Sequence, residues 1–392
     1  MENKMIFHGS GREYFGIWIV NVVLSILTLG IYSAWAKVRT KKYFYGNTEL
    51  AGDRFEYHAT PKQILIGRII AVTAFVIWFA VGHFYPLFSS VLFVIGLLLM
   101  PWVVRNNARF NAKMSSYRNV RLNFTGTLLG AYGVMLGRGL LVFLAIVTSV
   151  MLSSAPGIGG AGFVIGLGGA IVVFLLFCWM MMGISSYFAN GHGYGKLTFS
   201  AALRIGYFVR TYLWAILIYV LCMVGFVAIM FLMIGLAESF MDPTKLELLN
   251  SLSLDTISFE HLASLFGMVT FFLFIYGMFF VAILIVSSFI ACRVRNYVFG
   301  LMMVGESGDY RLGSTMNTAS YTMLIVTNFL MQVFTLGFAR PWVKVRTAKY
   351  LLSVTTVYGD LDALRAFDDD DSMKSAIGDE VSQAFDLDIG LG

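Results

Sequence analysis

The chain has 392 residues, of which 58% are hydrophobic and only 13% are charged, and its mean hydropathy is +0.77. Soluble domains carry about 25% charged residues, so this composition excludes an ordinary soluble enzyme, a disordered chain and a disulfide scaffold. The formal net charge is +6, but residues 360–392 carry ten acidic side chains against Arg365 and Lys374. We therefore expect a basic, helical membrane protein followed by an acidic tail.

Eight apolar runs follow one another along the chain. Runs of about 20 residues are long enough to cross the hydrocarbon of a bilayer as helices. Six central runs satisfy this length: Ile64–His83, Leu87–Val104, Val134–Ser153, Gly162–Gly183, Thr211–Leu236 and Leu265–Ala291. Two further runs lie near the ends, Gly16–Trp35 and Thr322–Pro341. The N-terminus carries Glu13 and no small-residue cleavage site, so we expect the first run to be retained rather than removed as a signal peptide.

The basic residues concentrate in alternate loops. Lysine and arginine in short loops mark the cytoplasmic side, and here they cluster in residues 37–62, 105–121, 196–210 and 293–311. The six central runs therefore predict three hairpins that enter and leave on the cytoplasmic side. The acidic loop Ala237–Ala263 falls on the other side. A full crossing by either end run would put its basic flank on the outer face. Each end run is therefore either re-entrant, with both ends on the cytoplasmic side, or spans the membrane despite this flank.

The two end segments repeat each other at a constant spacing and without a gap. Thr28-Leu29-Gly30 recurs as Thr335-Leu336-Gly337, and Trp35 recurs as Trp342. Lys37-Val38-Arg39-Thr40 recurs as Lys344-Val345-Arg346-Thr347. The sequence thus contains an internal repeat, 14–43 and 321–350. The Thr-Leu-Gly tripeptides are possible breaks in re-entrant segments, which are tolerated where protein covers them.

Polar side chains recur every seven residues within each copy. This spacing is almost two helical turns, so the residues share one helix face, and it favours a helix that continues through the Thr-Leu-Gly. A stripe with asparagine and threonine should face protein or water. It serves either helix packing through hydrogen bonds or a shared cavity, whose candidate lining residues are Tyr14, Asn21, Thr28, Tyr321, Asn328 and Thr335.

Short alternating runs follow several cytoplasmic exits. Residues 43–50 and 54–58 flank Ala51-Gly52-Asp53, and residues 297–304 and 309–312 flank a second glycine turn. Period-two alternation across such a turn predicts a β-hairpin. Arg118–Phe124 and Lys196–Ser200 are further candidate strands. We expect these small cytoplasmic β-hairpins to join into one sheet, because isolated hairpins are marginally stable.

Arginine recurs where each central hairpin begins. Arginine at headgroup depth can bind lipid phosphate, although the positive-inside bias alone also accounts for its position. The candidate lipid- or anion-binding residues are Arg68, Arg138, Arg210, Arg39 and Arg346.

No chemical motif emerges from the sequence. It contains no P-loop, no Gly-x-Ser-x-Gly and no His-Glu-x-x-His, so we expect no enzyme activity and no ATP-driven transport by this chain alone. The five histidines are scattered, and Cys178, Cys222 and Cys292 match no metal spacing. We therefore expect no cofactor and no metal. Membrane-surface electrostatics explains the basic residues more simply than nucleic-acid binding does.

The quoted segments resemble the YjgN family of bacterial inner-membrane proteins, which is defined by a domain of unknown function. The resemblance rests on Glu13-Tyr14-Phe15, Trp18–Asn21, Thr28–Tyr32, Trp35–Arg39, Tyr43–Thr48, Phe55–His58, Gly67-Arg68 and the closing Thr335–Tyr350. It covers about residues 5–358 and leaves the acidic tail outside. It implies a multi-pass inner-membrane protein and no established activity, so it supplies no site residues.

Together these patterns predict an all-α polytopic membrane protein with six full spans in three hairpins, two terminal re-entrant or spanning helices and small cytoplasmic β-hairpins. Residues 1–358 form the membrane domain, and 359–392 form an acidic tail that is solvated or docks on the protein's own basic face. We expect a transporter or channel for a small solute or anion. The alternatives are a lipid-binding envelope-maintenance protein, with anionic lipids as partners, and a membrane scaffold.

Overall fold

The computed structural model describes residues 1–157, 159–240, 259–305 and 308–363. The acidic run Asp368–Asp371 and the greater part of the acidic loop expected between the last two long helices lie outside the described residues. The chain divides into two compact units. The first contains residues 1–209, 294–316 and the chain from 327 onward, and the second contains Arg210–Arg293 and Asn317–Val326.

Helices make up most of the described chain. They are α1 (Gly11–Leu27), α2 (Ser33–Gly46), α3 (Pro61–Phe84), α4 (Pro86–Lys113), α5 (Leu128–Ala131), α6 (Arg138–Ser153), α7 (Ala161–Gly191), α8 (Ile205–Phe240), α9 (Phe259–Leu301), α10 (Thr318–Phe334) and α11 (Arg340–Ser353). A π-helical turn, Tyr132–Gly137, joins α5 to α6.

Six helices of the described chain are long and apolar enough to cross a membrane. They coincide with the six central runs, which confirms the prediction that these runs form long apolar helices. Within the apolar stretch of each helix, only 0–17% is buried inside the protein. Most of the apolar surface of these helices is therefore left for lipid. By contrast, α1 and α10 each have 17 residues, about 25 Å of helix, and fall short of a 30 Å hydrocarbon core.

Ten strands form a closed antiparallel barrel. They are β1 (Glu2–Phe7), β2 (Thr48–Leu50), β3 (Asp53–Tyr57), β4 (Ser115–Tyr117), β5 (Val120–Phe124), β6 (His192–Tyr194), β7 (Leu197–Ser200), β8 (Met303–Val304), β9 (Tyr310–Ser314) and β10 (Thr355–Tyr358). The prediction of an all-α protein with only small hairpins is therefore wrong. Closure removes every sheet edge, which makes such short strands viable together.

The two ends of the chain close the barrel. Strand β1 pairs with β10 through Glu2 and Tyr358, and on its other half with β2 through Met5 and Leu50. The remaining strands form hairpins whose neighbours in the barrel follow a pair of helices, as when β3 pairs with β4. Within the first hairpin, β2 and β3 are joined by the Ala51-Gly52 turn, where both residues have positive φ. Such a turn matches the twist of the two strands. The predicted local hairpins are thus parts of one barrel.

Helix pairs and strand pairs alternate along the chain. The chain leaves the barrel at β1, turns between α1 and α2, and returns to the barrel at β2. The last pair, α10 and α11, likewise runs from β9 to β10. Both ends of each terminal helix pair therefore join the barrel, the connection that a re-entrant segment requires.

The inside of the barrel is lined by apolar side chains. Each strand contributes a side chain that points inward, since successive residues of a strand alternate between its two faces. The buried members are Leu50, Tyr117, Tyr194, Val357 and Leu361, and further apolar residues from the other strands pack against them. This core places a hydrophobic plug at the centre of the first unit.

Candidate functional site

The two terminal helix pairs break at equivalent residues. Leu29 and Leu336 have φ of 49° and 50°, and Gly30 and Gly337 have φ of 91° and 88°. The helix therefore does not continue through the Thr-Leu-Gly as the seven-residue spacing suggested. The hydroxyl of Thr28 donates to Leu24 O at 2.7 Å and accepts from Tyr32 N at 2.9 Å. These two hydrogen bonds of Thr28 stabilise the turn between α1 and α2.

Thr335 repeats this arrangement in the second pair. Its hydroxyl donates to Met331 O at 2.6 Å and accepts from Ala339 N at 2.9 Å. Both threonines therefore use their hydroxyl oxygens on the backbone of their own helix pair, which gives them a structural role at the turn.

The first helix of one pair packs on the second helix of the other. The centres of the Trp342 and Phe15 rings lie 5.1 Å apart, and the centres of the Phe338 and Trp18 rings lie 6.3 Å apart. A Cβ atom on Gly11 would sit 2.4 Å from Trp342 Cδ1, so glycine is needed for this approach. The two related segments thus lie side by side, α1 against α11.

The candidate stripe residues have different surroundings. Tyr14 is fully buried, and its hydroxyl donates to Thr40 Oγ1 at 3.4 Å. Asn21 is 5% exposed, and its Oδ1 finds no hydrogen-bond partner in the part of the chain that the structure describes. Tyr321 is half-buried in the first turn of α10, in the second unit.

Asn328 holds the position equivalent to Asn21 in the second pair. It is also 5% exposed, and its Nδ2 donates to Thr347 Oγ1 at 3.1 Å. The amide nitrogen of Asn328 is therefore hydrogen-bonded within its own helix pair.

A cavity of about 550 Å³ opens beside Asn21, between α1, α2, α3 and α11. We call it the basic cavity. Tyr14, Ser25, Ser33 and Thr40 supply hydroxyl groups, and no aspartate or glutamate is among its described lining residues. Its cationic lining residues are Lys37, Lys41, Arg68, Arg340 and Lys344. Tyr14 and Asn21 thus line a common cavity, while Thr28, Tyr321, Asn328 and Thr335 are not among its described lining residues.

The candidate arginines are distributed differently. Arg68 lines the basic cavity and donates to Ser33 Oγ, which itself donates to Gly30 O. Arg138 Nη1 donates to Trp179 O at 2.7 Å, and its guanidinium lies 4.0 Å from the centre of the Trp179 ring. Arg138 therefore joins α6 to α7.

The other three candidate arginines are exposed. Arg39 lies on α2, and Arg210 lies near the start of α8 in the second unit. Arg346 donates to Thr327 Oγ1 at 3.2 Å. Of the five candidates, only Arg68 belongs to the basic cavity.

A second cavity of about 410 Å³ lies where helices α2, α4, α7 and α9 meet the barrel. We call it the vestibule. Lys41 Nζ donates to Asn111 Oδ1 at 2.8 Å, and Asn111 Nδ2 donates to Asn107 Oδ1 at 3.2 Å. Ser115 and His192 also line it. Since Lys41 lines the basic cavity as well, the two cavities are neighbours across this lysine.

The barrel lumen contains a third cavity, of about 230 Å³. It shares five apolar residues with the vestibule: Phe55, Leu122, Phe199, Phe299 and Leu312. Two tyrosines fill its centre. Tyr117 OH donates to Leu50 O at 2.8 Å, and Tyr194 OH donates to Tyr117 O at 2.9 Å. The vestibule therefore adjoins an apolar lumen.

The chain closes the lumen at its far end. After β10 the backbone turns, and Leu361 packs into the barrel core. Arg118, in the turn between β4 and β5, donates to Leu361 O and to Asp53 Oδ2, and its Nη2 lies 3.6 Å from Asp362 Oδ1. Arg118 thus fastens the segment that plugs the barrel.

Burial sets the ionisation of the groups around the lumen. Burial lowers the pKa of His192, opposed by the hydrogen bond that its Nδ1 makes to Phe188 O at 2.7 Å. It raises the pKa of Tyr194 to about 12 and also raises the pKa of Tyr117. These tyrosines are therefore neutral donors at physiological pH.

Two cationic side chains of the first unit are buried. Lys113, at the end of α4, is 6% exposed, and Arg295 is 8% exposed. Arg295 Nη2 donates to Thr355 Oγ1 at 2.8 Å, and its guanidinium lies 4.6 Å from the centre of the Phe299 ring. Arg295 thus places a positive charge beside two residues that line the lumen.

Among the described residues, no group of three histidine, cysteine or acidic side chains could hold a metal ion. The described cysteines form no disulfide and are spread over three helices, with Cys178 and Cys292 buried.

The sequence analysis missed the residues that line the lumen. Met5, Phe55, Leu122, Phe199 and Leu312 come from the alternate strands β1, β3, β5, β7 and β9. Strands β3, β5, β7 and β9 did carry a signal, since each places an apolar residue between two polar or small ones. Without the closed barrel, nothing indicated that these residues face one another.

Comparison with known proteins places the whole chain in one group. The model of the family described as "Bacterial protein of unknown function (DUF898)" matches residues 2–384. "Inner membrane protein YjgN" of Salmonella typhimurium strain LT2 is 24% identical over 382 residues, which cover 95% of this chain and 93% of that protein. The protein of the same name from Escherichia coli K12 is 36% identical over 133 residues, about a third of each chain. No solved structure matches the chain.

Proposed function

The chain belongs to the DUF898 family, whose curated relatives are inner membrane proteins named YjgN, and from this premise we propose that it is an inner-membrane transporter or channel for a small anion. The proposed path runs from the vestibule through the barrel lumen. The observation that carries the proposal is the set of five apolar residues shared by the vestibule and the lumen. Because both cavities border the same residues, a movement of these side chains would join them.

The charge around this path supports an anion. Lys41 lines the vestibule, and the buried Arg295 contacts Thr355 and Phe299, which line the lumen. Rings or clusters of lysine and arginine are the usual selectivity elements of anion pores. Conduction further requires that the anion bind weakly enough to be released. The neutral amides of Asn107 and Asn111 would hold an anion less tightly than additional fixed charges would.

The lumen as described is the closed state of this path. Tyr117, Tyr194 and Leu361 fill it with apolar and aromatic surface, and hydrophobic constrictions of this kind close pores by excluding water. Opening then requires displacement of Leu361 and rotation of the tyrosines. Arg118 would control this step, because it holds the backbone of Leu361.

We further propose that the barrel lies on the cytoplasmic side. The loops that supply its strands carry the basic residues that mark this side, including Arg54, Arg121 and Arg311 on the strands themselves. In this orientation the two short terminal helix pairs would enter the membrane and return to the cytoplasmic face, with Leu29 and Leu336 at their tips, 94% and 90% exposed.

Flux in proteoliposomes tests the proposal. The purified full-length chain should release chloride or phosphate faster than protein-free vesicles do, with potassium release unchanged. Widening the lumen by Tyr194→Ala should raise the anion flux severalfold. Tyr358→Ala is the matched control, because Tyr358 lies on the same barrel but is exposed. Anion flux equal to that of empty vesicles for both the unaltered chain and Tyr194→Ala would overturn the proposal.

A further inference from the structure

The barrel is assembled from five modules that share one order of elements. Each module consists of a strand, helices and a second strand, from β1 to β2 in the first module and from β9 to β10 in the last. In every module one apolar residue of the first strand lies opposite one of the second. The five pairs are Met5 with Leu50, Phe55 with Tyr117, Leu122 with Tyr194, Phe199 with Val304 and Leu312 with Val357. All ten residues line the lumen, so apolar side chains surround it on every side.

The hydroxyl groups of three lining residues are engaged in hydrogen bonds. Those of Tyr117 and Tyr194 donate to the backbone oxygens of Leu50 and Tyr117. Thr355 Oγ1 donates to Leu351 O at 2.7 Å and accepts from Arg295 Nη2 at 2.8 Å. A buried water makes about three hydrogen bonds, and this lining offers few. An apolar space of this kind stays dry and takes an apolar molecule.

The size of the lumen defines the length of such a molecule. About 230 Å³ of it is unfilled, and atoms that line an unfilled space lose dispersion contacts. An alkyl chain would restore these contacts. An apolar cavity of about 150 Å³ binds benzene, so by proportion the lumen holds a chain of about nine carbon atoms.

The adjoining vestibule requires a polar group at one end of this chain. Phe55, Leu122, Phe199 and Leu312, all from odd-numbered strands, line both cavities, whereas the even-strand members of the pairs are not among the described lining residues of the vestibule. The odd-strand side of the lumen therefore borders the vestibule. The polar lining residues of the vestibule include Asn107, Asn111, Ser115 and His192. An apolar pocket with a few polar groups at one end is typical of small-molecule sites.

We propose that the lumen binds the alkyl chain of a single-chain amphiphile, about nine carbons long, whose small polar head group lies in the vestibule, as in a medium-chain carboxylate. This inference goes beyond the anion path and does not depend on it, because a chain binds in the lumen whether or not the barrel conducts. In a conducting barrel the bound chain closes the path, since it occupies the same space.

Photolabelling of the full-length protein in proteoliposomes tests the proposal. The probe is decanoate with a diazirine near its methyl end, and mass spectrometry locates the labelled residues. We expect label on the strands that line the lumen. Leu312→Trp fills the lumen and should reduce this label by about tenfold. Arg311→Trp, at the exposed neighbouring position of β9, should not reduce it. Label confined to the long apolar helices, or barrel label that Leu312→Trp leaves unchanged, overturns the proposal.

The dependence on chain length provides a second test, which does not require Leu312→Trp to fold. Unlabelled carboxylates from hexanoate to tetradecanoate compete with the probe at measured free concentrations. Their affinity should rise about fourfold for each added methylene as far as decanoate and then stop rising, because further carbons find no room in the lumen. An affinity that continues to rise through tetradecanoate, as partition into the bilayer does, overturns the proposal.

A variant that enlarges the lumen should move this limit. Tyr194→Ala removes a lining side chain, so chains longer than decanoate should gain affinity, a gain that a misfolded protein cannot show. Tyr358→Ala, at an exposed position on the same barrel, should leave the limit in place. An unchanged limit in Tyr194→Ala contradicts binding in the lumen. Neither experiment records anion flux, so a negative result here is distinct from a failure of the transport proposal.

Discussion

Lys41 Nζ donates a hydrogen bond of 2.8 Å to Asn111 Oδ1 and so fixes a cation between the basic cavity and the vestibule. Lys41 belongs to α2, whose partner helix is short, and Asn111 belongs to α4, which is long enough to span a membrane. The contact thus joins a terminal helix pair to a long hairpin at the level of the barrel. Lys41 is therefore a lining residue that the two cavities share.

Replacing Lys41 tests its place on the path. Lys41→Gln removes the charge but keeps a donor that can reach Asn111, so the local packing should survive. We expect anion flux in proteoliposomes to fall by about tenfold, since a cation at the narrow entrance concentrates anions there. Lys42→Gln alters an exposed neighbour and should leave the flux unchanged. Equal flux for both variants and the original would place Lys41 off the path.

Arg118→Gln should open the barrel more often. The change removes the ion pair with Asp53 and weakens the hold on Leu361, so the plug should leave the lumen more readily. We expect higher anion flux and faster labelling of a cysteine placed at residue 361. The comparison variant Arg121→Gln changes an arginine in the neighbouring strand β5 that does not contact Leu361. Slower labelling in Arg118→Gln than in Arg121→Gln would argue against this latch.

Gly183→Ala should separate α6 from α7. A Cβ atom there would lie 2.0 Å from Arg138 Nη1, so the guanidinium would have to leave Trp179. We expect the free energy of unfolding to fall by about 1–3 kcal/mol, as in other overpacked contacts. Gly168→Ala, in the same helix with open space around it, should not destabilise the protein. Thermal unfolding in detergent measures both, and equal midpoints for the two variants would contradict the expected clash.

Replacing each of two glycines in the first helix pair by alanine should change the stability of the protein in opposite directions. Gly30 has φ of 91°, a conformation that costs a side-chain-bearing residue about 1 kcal/mol or more, so Gly30→Ala should destabilise the turn. Gly16 lies inside α1 with open space around it, so Gly16→Ala should stabilise the helix by up to about 1 kcal/mol. Unfolding midpoints that move in the same direction would show that the break between α1 and α2 does not govern stability.

Acid should weaken the fold through His192. Burial lowers its pKa below the ordinary 6.5, so the unfolded chain binds the proton more readily than the folded one does. The free energy of unfolding should therefore fall as the pH drops below about 6.5, until it reaches the folded-state pKa. His192→Gln should flatten this slope between pH 7 and 5, and His83→Gln, at an exposed position, should not. An unchanged slope in His192→Gln would assign the acid sensitivity to other groups.

The long helices and the local hairpins could be predicted from the sequence because each has a signal within a few residues. Apolar runs located α3 and α4, and alternation across Ala51-Gly52 located β2 and β3. The closed barrel could not be predicted, because Glu2–Phe7 pairs with Thr355–Tyr358 across nearly the whole chain. Neither strand has a neighbouring turn that would reveal its partner.

The candidate site was partly predictable for a similar reason. The seven-residue spacing predicted that Tyr14 and Asn21 share a face of one helix turned to protein or water, and both are buried on α1. It also placed Thr28 on the same stripe, although the helix ends at Leu27 and Thr28 caps the break. Headgroup depth suggested equal roles for Arg68 and Arg138, but the Trp179 carbonyl oxygen and ring hold Arg138 within a helix contact. Such differences depend on neighbours from distant parts of the chain.

The central claim, an anion path through the barrel lumen, is tested most directly by two adjacent residues of β7. Phe199 lines the lumen, whereas Thr198 is exposed on the outer face. In a background with the natural cysteines replaced, Phe199→Cys and Thr198→Cys are each labelled with a bulky methanethiosulfonate while anion flux is recorded. The account predicts that labelling residue 199 stops the flux and that labelling residue 198 does not. Undiminished flux through protein fully labelled at residue 199 would contradict it.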